Sequence, residues 1–514
     1  MAVRNKKQHR RGLEIKSRLL LIAFFVLLQI LVFTGSAYLF ASERILVYTV
    51  LELISVFIVI YIVSKRGNPS YKIMWIVFIL VFPLVGGLVY LVWGGGRVFP
   101  HVKKQMIKFS RGFDKYVKQE QSVKEKLENE QLQYSRHSTF LSNSTGLPVY
   151  DGTETEFLAP GEKAFPVMLE ELKKAEKYIF IEFFILSEES MWEEIFEVLK
   201  EKQKAGVEIR LIFDDFGSIT RQYRHFVKRL EKAGIAVRVF NKIMPSVNIF
   251  MNNRNHRKII VIDGKVAFTG GMNIADEYIN RTALHGYWMD CALMIKGKAV
   301  TSFVVMFLSM WGFCTKNYQR FNRYIVNEGV EANGFVQPYN DDPINDKNPA
   351  EGIYMQILNT AQKYVYIATP YLIVDSAMIR EITLAANSGI DVRIITPKIP
   401  DKGYVHPVTQ YSYKELLESG VRIFEYTPGF IHSKFFVSDD NVATVGTVNM
   451  DYRSFFFHFE CGVWMCKTDT VTDIKNHFLE LQKQSEEIVL ATWEKRPVKQ
   501  KLKQTLLHLF APFM

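Results

Sequence analysis

The sequence predicts an α/β protein with two copies of one domain, in which two facing β-sheets are flanked by helices and preceded by N-terminal transmembrane helices. Three observations carry this prediction: apolar runs near the N-terminus, a long internal repeat, and a charged motif that occurs once in each repeat. The chain has 514 residues, 48% of them hydrophobic, which is ample for more than one packed core. Its net charge of +11 favours anionic partners, such as a membrane surface, nucleic acid or a phosphate-bearing substrate.

Three apolar runs predict a membrane region over residues 1–97, with transmembrane helices at about 19–41, 45–63 and 73–93. The first run is longer than the apolar core of a cleaved signal peptide, and two runs would remain if it were removed. Basic residues before the first run and between the other two favour an outward-facing C-terminal part. Those directly after the third run favour the opposite orientation, which therefore stays open.

The rest of the chain is divided into a charged connector (98–145), two similar halves (146–330 and 331–494) and a basic tail (495–514). The connector is typical of a solvated helix. Residues 175–181 (AEKYIFI) match 361–367 (AQKYVYI), and residues 204–210 (KAGVEIR) match 387–393 (NSGIDVR). In each half, strands alternate with helical stretches, which predicts an α/β sheet with helices on its faces. A repeat of this length indicates a domain duplication.

Each half contains one copy of the same motif: His, Lys two positions later, Asp five after Lys, and Asn ten after Asp. A lone histidine near a strand is more often a core residue, but two copies in register with a duplication are not explained that way. The motif residues are His256, Lys258, Asp263 and Asn273 in the first half, and His432, Lys434, Asp439 and Asn449 in the second.

This residue set suits a phosphodiester substrate. Histidine and lysine two positions apart on a strand share a face, whereas the aspartate is expected to be structural. Lysine and asparagine would neutralise phosphoryl oxygens, together with the positions two before each asparagine, Gly271 and Thr447. One histidine can attack phosphorus while the other protonates the leaving alcohol, and our hypothesis assigns these roles to His256 and His432 respectively.

Two acids downstream of the motifs, Asp290 and Glu460, are candidates for orienting the histidines. A histidine that acts as nucleophile or as acid and base needs a partner that sets its tautomer. The alternative is that each is an ordinary surface acid, because a single acid near a motif is weak support for a role.

Residues 255–264 (NHRKIIVIDG) and 431–440 (IHSKFFVSDD) resemble the HKD motif pair of the phospholipase D superfamily. More narrowly, the chain resembles bacterial cardiolipin synthases over nearly all of its length. It departs from them in its additional first apolar run and in residues 339–343 (YNDDP), where that family usually carries a Ser-Gly-Pro-Asp phrase.

The resemblance implies a multi-pass protein of the bacterial cell membrane whose partners are phosphatidylglycerol and anionic membrane lipids, and not nucleic acid. It implies transfer of a phosphatidyl group from one phosphatidylglycerol through a histidine to another, giving cardiolipin and glycerol. No cofactor and no metal is expected. The four cysteines lack the spacing of a metal site, and no Gly-rich phosphate loop is present in the sequence.

Three alternatives stay open at this point. A phospholipase D hydrolase or another phosphatidyltransferase would use the same residues, and a membrane-bound nuclease would also suit the basic composition. A non-enzymatic scaffold would leave the repeated motif unexplained. The basic, Leu-rich tail is typical either of an interfacial helix or of a helix packed on the catalytic domain.

Overall fold

The computed structural model describes residues 44–65, 67–94, 100–110, 113, 116–222, 225–242, 252–318 and 322–514. The predicted transmembrane helix at 19–41 lies outside these residues. The described residues fall into two compact units, an N-terminal unit up to residue 94 and a larger unit from residue 100 onward.

The N-terminal unit consists of the helices α1 (Arg44–Ser64), α2 (Pro69–Val81) and α3 (Pro83–Trp93). The side chain of Asn68 accepts a 2.9 Å hydrogen bond from the backbone N–H of Ser70 and so begins α2. The predicted helix at 73–93 is broken between α2 and α3, because Pro83 has no backbone N–H and its ring clashes with the preceding turn.

No helix in the described ranges combines the length and the apolar character needed to cross a membrane. The predicted transmembrane helices at 45–63 and 73–93 are therefore not confirmed. The first of these segments forms one helix, α1, and the second forms parts of two.

The connector forms the helices α4 (Pro100–Ser110), α5 (Gln121–Glu130) and α6 (Leu132–Thr145). It is more than a solvated segment, because α5 and α6 bury four apolar side chains in the core of the second half: Val123, Leu127, Tyr134 and Leu141. Charged residues dominate the composition of this segment and conceal the few buried positions from a reading of the sequence.

The first half contains a seven-stranded sheet in the order β1-β8-β6-β5-β2-β3-β4. Its strands are β1 (Thr153–Leu158), β2 (Tyr178–Phe183), β3 (Glu208–Asp214), β4 (Ala236–Phe240), β5 (Ile259–Ile262), β6 (Val266–Gly270) and β8 (Ala292–Gly297), and β7 (Tyr287–Met289) lies outside the sheet. Its helices are α7 (Gly161–Lys173), α8 (Ser190–Lys204), α9 (Asp215–Ser218), α10 (Phe226–Lys232), a 3-10 helix (Asp276–Ile279) and α11 (Val300–Thr315).

The second half contains an eight-stranded sheet in the order β19-β13-β12-β10-β15-β16-β18-β9. Its strands are β9 (Phe335–Asp341), β10 (Tyr364–Ala368), β12 (Asp391–Pro397), β13 (Arg422–Tyr426), β15 (Phe435–Ser438), β16 (Val442–Gly446), β18 (Glu460–Cys466) and β19 (Ser485–Ile488). Three short strands lie outside it: β11 (Leu372–Ile373), β14 (Gly429–Ile431) and β17 (Met450–Asp451).

The helices of the second half are α12 (Pro349–Thr360), α13 (Ser376–Asn387), α14 (His406–Thr409), α15 (Tyr413–Glu418), α16 (Tyr452–Phe456), α17 (Thr470–Lys483), α18 (Leu490–Trp493) and α19 (Val498–His508). Two 3-10 helices lie at Gln410–Ser412 and Ala511–Phe513.

The two sheets confirm the duplication. The order β8-β6-β5-β2-β3-β4 in the first sheet corresponds strand for strand to β18-β16-β15-β10-β12-β13 in the second. In both sheets, three neighbouring strands pair in parallel (β2, β3 and β4; β10, β12 and β13). The other three pair antiparallel (β5, β6 and β8; β15, β16 and β18). Strand β6 contacts β16 and β18, and β8 contacts β16, so the sheets face each other along their antiparallel parts. Outside the sheets, β7 and β14 pair in parallel and join the halves.

The C-terminal tail forms a helix that packs on the catalytic part of the chain, and its role at a membrane interface stays a prediction. Helix α19 packs on the second half through Gln504, which is buried and donates a 3.3 Å hydrogen bond to Gln410. The opposite face of the helix leaves Leu502, Leu506 and Leu509 more than half exposed. The tail is therefore a packed helix that presents an apolar stripe outward.

Candidate active site

The two motif histidines are held at the junction of the halves. His256 precedes β5, and its backbone N–H donates to the carbonyl oxygen of Phe459 in the other half at 2.9 Å. His432 follows β14, and its N–H donates to the carbonyl oxygen of Met289 at 2.7 Å. Both imidazoles are largely buried, each with 8% of its side chain exposed. Backbone contacts across the junction thus bring the two motifs to one place.

Each histidine pairs with an acid of the opposite half. His256 Nδ1 lies 2.9 Å from Glu460 Oε1, and His432 Nδ1 lies 2.7 Å from Asp290 Oδ2. Both carboxyl groups are completely buried. An ionised carboxylate only accepts hydrogen bonds, so the contact with Glu460 places the proton of His256 on Nδ1 and leaves a lone pair on Nε2. The contact with Asp290 favours the same tautomer for His432, whose Nδ1 atom also lies 2.8 Å from Lys434 Nζ. A lone pair on Nε2 is what a nucleophile or a general base needs.

Glu460 and Asp290 differ in the groups that contact them. Glu460 also accepts hydrogen bonds from the hydroxyl groups of Thr447 at 2.5 Å and Ser454 at 2.8 Å. Gly271 takes the place of Thr447 in the first half, where an added Cβ would lie 2.1 Å from Asp290 Oδ1. The structure thus places Thr447 and Gly271 against the acids, and binding of substrate by these two residues stays a prediction.

The two motif lysines lie beside the histidines and are 1% exposed. Lys258 Nζ donates to the carbonyl oxygen of His256 at 2.6 Å, and Lys434 Nζ donates to that of His432. Burial lowers the pKa of Lys258 to about 7 and that of Lys434 to about 8. Binding of an anionic phosphodiester would raise both values again, because a nearby negative charge favours the protonated amine.

The two asparagines differ in their contacts. Asn273 accepts a 3.0 Å hydrogen bond from the backbone N–H of Ile185 and donates to the hydroxyl group of Tyr278 at 2.7 Å. The Oδ1 atom of Asn449 is buried and has no hydrogen-bond partner among the described residues. Asn273 is thus partly engaged in holding the fold, and binding of substrate by both asparagines stays a prediction.

The motif aspartates have the contacts of structural residues. Asp263 accepts hydrogen bonds of 2.7 to 2.8 Å from three successive backbone N–H groups, at residues 176–178, where β2 begins. Asp439 accepts the equivalent three from residues 362–364 at 2.7 to 2.9 Å. Their positive φ values, 53° and 56°, place them in the turns after β5 and β15. They fix the strands that carry the site and do not reach its centre.

His458 lies beside the site and was not among the predicted residues. Its ring centroid is 5.5 Å from that of His256, and its Nδ1 atom is 3.8 Å from Glu460 Oε1. The sequence does contain a signal for it, because a residue two positions before Glu460 on an extended chain shares the face of that acid.

His256, His458 and Glu460 bring one potential metal ligand each within 4.8 Å of one another. The Nε atom of Arg453 donates to His458 Nε2 at 3.2 Å, which leaves the proton of a neutral ring on Nδ1. A protonated Nδ1 has no lone pair for a metal, so this arrangement fits a metal poorly.

Comparison with known proteins identifies relatives along most of the chain. Residues 168–311 and 354–482 match the family described as cardiolipin synthase, PLD-like domain, and residues 53–95 match the phospholipase D-nuclease N-terminal family. A cardiolipin synthase of Alkalihalophilus pseudofirmus is 32% identical over 97% of this chain and 100% of its own length. One of Geobacillus sp. strain WCH70 is 34% identical over 89% of this chain and 92% of its own.

Among solved structures, a phosphatidylserine synthase of Haemophilus influenzae Rd KW20 superposes with a TM-score of 0.55 at 16% identity. The match covers 74% of this chain and 97% of that one. At this identity the similarity concerns the fold.

Proposed function

The chain belongs to the family of cardiolipin synthases with a PLD-like domain, and we infer from this that it is a phosphatidyltransferase that makes cardiolipin. We propose that both substrate molecules are phosphatidylglycerol. The observation that carries the proposal is the pair of histidines with exchanged acids, because a two-step transfer needs a nucleophile and a separate acid and base at one phosphorus.

In the first step, His256 Nε2 attacks the phosphorus atom of one phosphatidylglycerol. His432 takes up a proton on Nε2 when the anionic lipid binds. The bond from phosphorus to the glycerol headgroup then breaks, and His432 gives this proton to the leaving oxygen. The products are free glycerol and a phosphatidyl group bonded to His256. The protonated lysines Lys258 and Lys434 would stabilise the negative charge that builds up on the phosphoryl oxygens.

In the second step, a headgroup hydroxyl of another phosphatidylglycerol attacks the same phosphorus. His432, now neutral, takes the hydroxyl proton, the phosphorus–nitrogen bond breaks, and cardiolipin leaves. Both histidines return to their starting state, so the cycle consumes no further reactant.

The contacts of Glu460 support the assignment of the nucleophilic role to His256 and the acid and base role to His432. Glu460 shares its charge with two hydroxyl groups as well as His256, which weakens its support for a positive imidazole. Burial lowers the pKa of His256 well below its usual value and lowers that of His432 to about 4. An anionic lipid bound beside the two rings would raise both pKa values again.

We also propose that the protein works at the surface of the bacterial cell membrane, among anionic lipids. The N-terminal unit contains apolar helices and matches the phospholipase D-nuclease N-terminal family, and helix α19 offers a second contact with a membrane. Its exposed leucines lie beside three exposed lysines, Lys499, Lys501 and Lys503. An apolar stripe next to positive charge is the pattern of a helix that rests on an anionic bilayer. Several membrane crossings stay a prediction of the sequence.

The experiment that tests the reaction supplies the purified protein with phosphatidylglycerol as the sole lipid and measures cardiolipin and glycerol. We expect the two products in equal amounts. Phosphatidic acid in place of cardiolipin would identify water as the acceptor and a hydrolase as the function.

A further inference from the structure

The Nδ1 atom of His458 has no role in the proposed mechanism. It is buried and has no hydrogen-bond partner in the described part of the chain, and the side chain is 9% exposed. Glu460 Oε1 lies 3.8 Å from this atom, which is too long for a hydrogen bond but close enough for the carboxylate to favour the protonated ring. Buried polar atoms in native proteins are nearly always paired, so this atom is available to a group that binds beside His256.

The hydrogen-bond pattern shows that this atom is a donor. The Nε atom of Arg453 donates to His458 Nε2 at 3.2 Å, and a guanidinium group cannot accept. The lone pair of the ring is therefore on Nε2, and the proton of the neutral ring is on Nδ1. Burial lowers the pKa of His458 to about 3, so the ring is neutral at physiological pH.

The backbone holds this donor in place from both sides. The N–H group of His458 donates to the carbonyl oxygen of Arg453 at 2.9 Å, and the N–H group of Phe459 donates to that of Arg254 at 2.8 Å. The preceding carbonyl, of Phe457, accepts a 3.0 Å hydrogen bond from the side chain of Asn253. The ring is thus positioned before a substrate arrives.

The corresponding position in the first half is Trp288, two residues before Asp290. Its ring lies 5.5 Å from that of His432, the same distance that separates His458 from His256. Trp288 packs against Phe430 and Tyr278 at centroid distances of 4.8 and 4.9 Å and belongs to the core of the first half. The two sides of the site therefore differ in the ring that lies beside the histidine, an indole beside His432 and an imidazole beside His256. The indole Nε1 atom of Trp288 is likewise buried and has no hydrogen-bond partner among the described residues.

We propose that His458 is a further substrate-binding residue, which donates its Nδ1–H to a hydroxyl oxygen of the lipid headgroup held beside His256. Lys258 and Lys434 neutralise the charge of the phosphate. The neutral Nδ1–H group of His458 is therefore left to bind an uncharged oxygen of the lipid. The glycerol headgroup supplies hydroxyl oxygens of this kind. The proposal rests on the proposed function for the identity of the lipid.

A pair of variants of equal shape tests this. His458→Asn places an amide N–H close to the position of Nδ1, whereas His458→Leu has the same branching and no donor. Release of the headgroup alcohol is measured from phosphatidylglycerol and from phosphatidylpropanol, whose headgroup has no hydroxyl. Thermal unfolding of both variants shows whether they fold like the parent protein.

We expect His458→Leu to reduce kcat/KM for phosphatidylglycerol about tenfold or more, mainly through KM, and His458→Asn to stay near the parent. On phosphatidylpropanol, both variants should equal the parent. Equal loss in both variants would overturn the proposal. So would an equal effect of His458→Leu on both lipids, which would assign the donor to a phosphoryl oxygen or to Glu460. Alcohol release is measured whether water or lipid is the acceptor, so a failure of the proposed function appears separately, as a parent protein that makes no cardiolipin.

Discussion

The Nζ atom of Lys258 lies 2.6 Å from the carbonyl oxygen of His256, so a motif lysine donates to the backbone of its own motif histidine. A carbonyl neutralises no charge, and burial lowers the pKa of this lysine to about 7. The site is thus prepared for an anion that will complete the neutralisation.

This lysine predicts a pH-dependent stability for the ligand-free protein. The usual pKa of lysine, 10.5, is higher than the folded value of about 7, so between these pH values the unfolded chain binds more protons. Stability should therefore rise with pH across that window. Lys258→Met should be more stable than the parent at pH 7.5 and should remove up to about 1.4 kcal/mol per pH unit of this slope. Urea unfolding from pH 7.5 to 9.5 measures the slope. The exposed control Lys204→Met should leave it unchanged, and an unchanged slope in Lys258→Met would contradict the prediction.

The covalent intermediate distinguishes the roles of the two histidines. We expect His256→Ala and His432→Ala each to abolish transfer, because each half supplies one imidazole. The parent protein, quenched during turnover and examined by mass spectrometry, should carry its phosphatidyl group on His256. An adduct on His432 would reverse the roles, and substantial activity in either alanine variant would refute the shared site.

Because each histidine depends on an acid of the other half, replacing that acid should lower turnover even when the size of the side chain is kept. Glu460→Gln keeps the shape of the side chain, but its amide can donate to His256 and favour the wrong tautomer. We expect turnover to fall by about 10² to 10⁴, by analogy with the acid of a catalytic triad. Glu425→Gln is the matched control, a buried acid that accepts from Gln410 at 2.9 Å and should tolerate the change. Equal losses in the two variants would indicate a general effect of removing a buried charge.

Chelation should leave the activity intact. Lysines stand where a metal would otherwise stabilise charge, and the tautomer of His458 opposes ligation. Activity on phosphatidylglycerol micelles is measured after treatment with EDTA and gel filtration. Loss that a divalent cation restores, with the micelles unchanged, would disprove this.

The exposed stripe of helix α19 predicts an interfacial effect. Changing Leu502, Leu506 and Leu509 together to serine should weaken turnover of phosphatidylglycerol in vesicles severalfold and leave a short-chain soluble analogue unaffected. Removal of residues 497–514 should act in the same direction. The matched control is Leu384→Ser, which changes a leucine that is 53% exposed on α13. Equal loss on vesicles and on the soluble analogue would assign the stripe a structural role.

The sequence predicts both the duplicated fold and the motif residues, because a repeat and a fixed spacing are patterns within the sequence itself. The exchange of Asp290 and Glu460 between halves is different in kind. It depends on the pairing of β7 with β14 and on the contacts of residues 254–256 with Phe459, which join segments far apart in the chain. No local spacing encodes such pairing.

Two other features of the structure are not predicted by the sequence, each for its own reason. A single histidine near a strand most often reads as a core residue, so His458 carried no signal apart from its distance of two positions from Glu460. The break at Pro83 was not predicted, because proline is tolerated inside membrane helices and composition alone does not locate a break.

Because each half completes the other's histidine, a half expressed alone would hold an imidazole without its acid and an acid without its imidazole. An ancestral protein with a single half would have needed to dimerise, and symmetry would then have repeated every residue on both sides. Fusion into one polypeptide lifted that constraint. The divergence between Trp288 and His458, and between Gly271 and Thr447, is a specialisation that a fused pair can accumulate and a symmetric homodimer cannot.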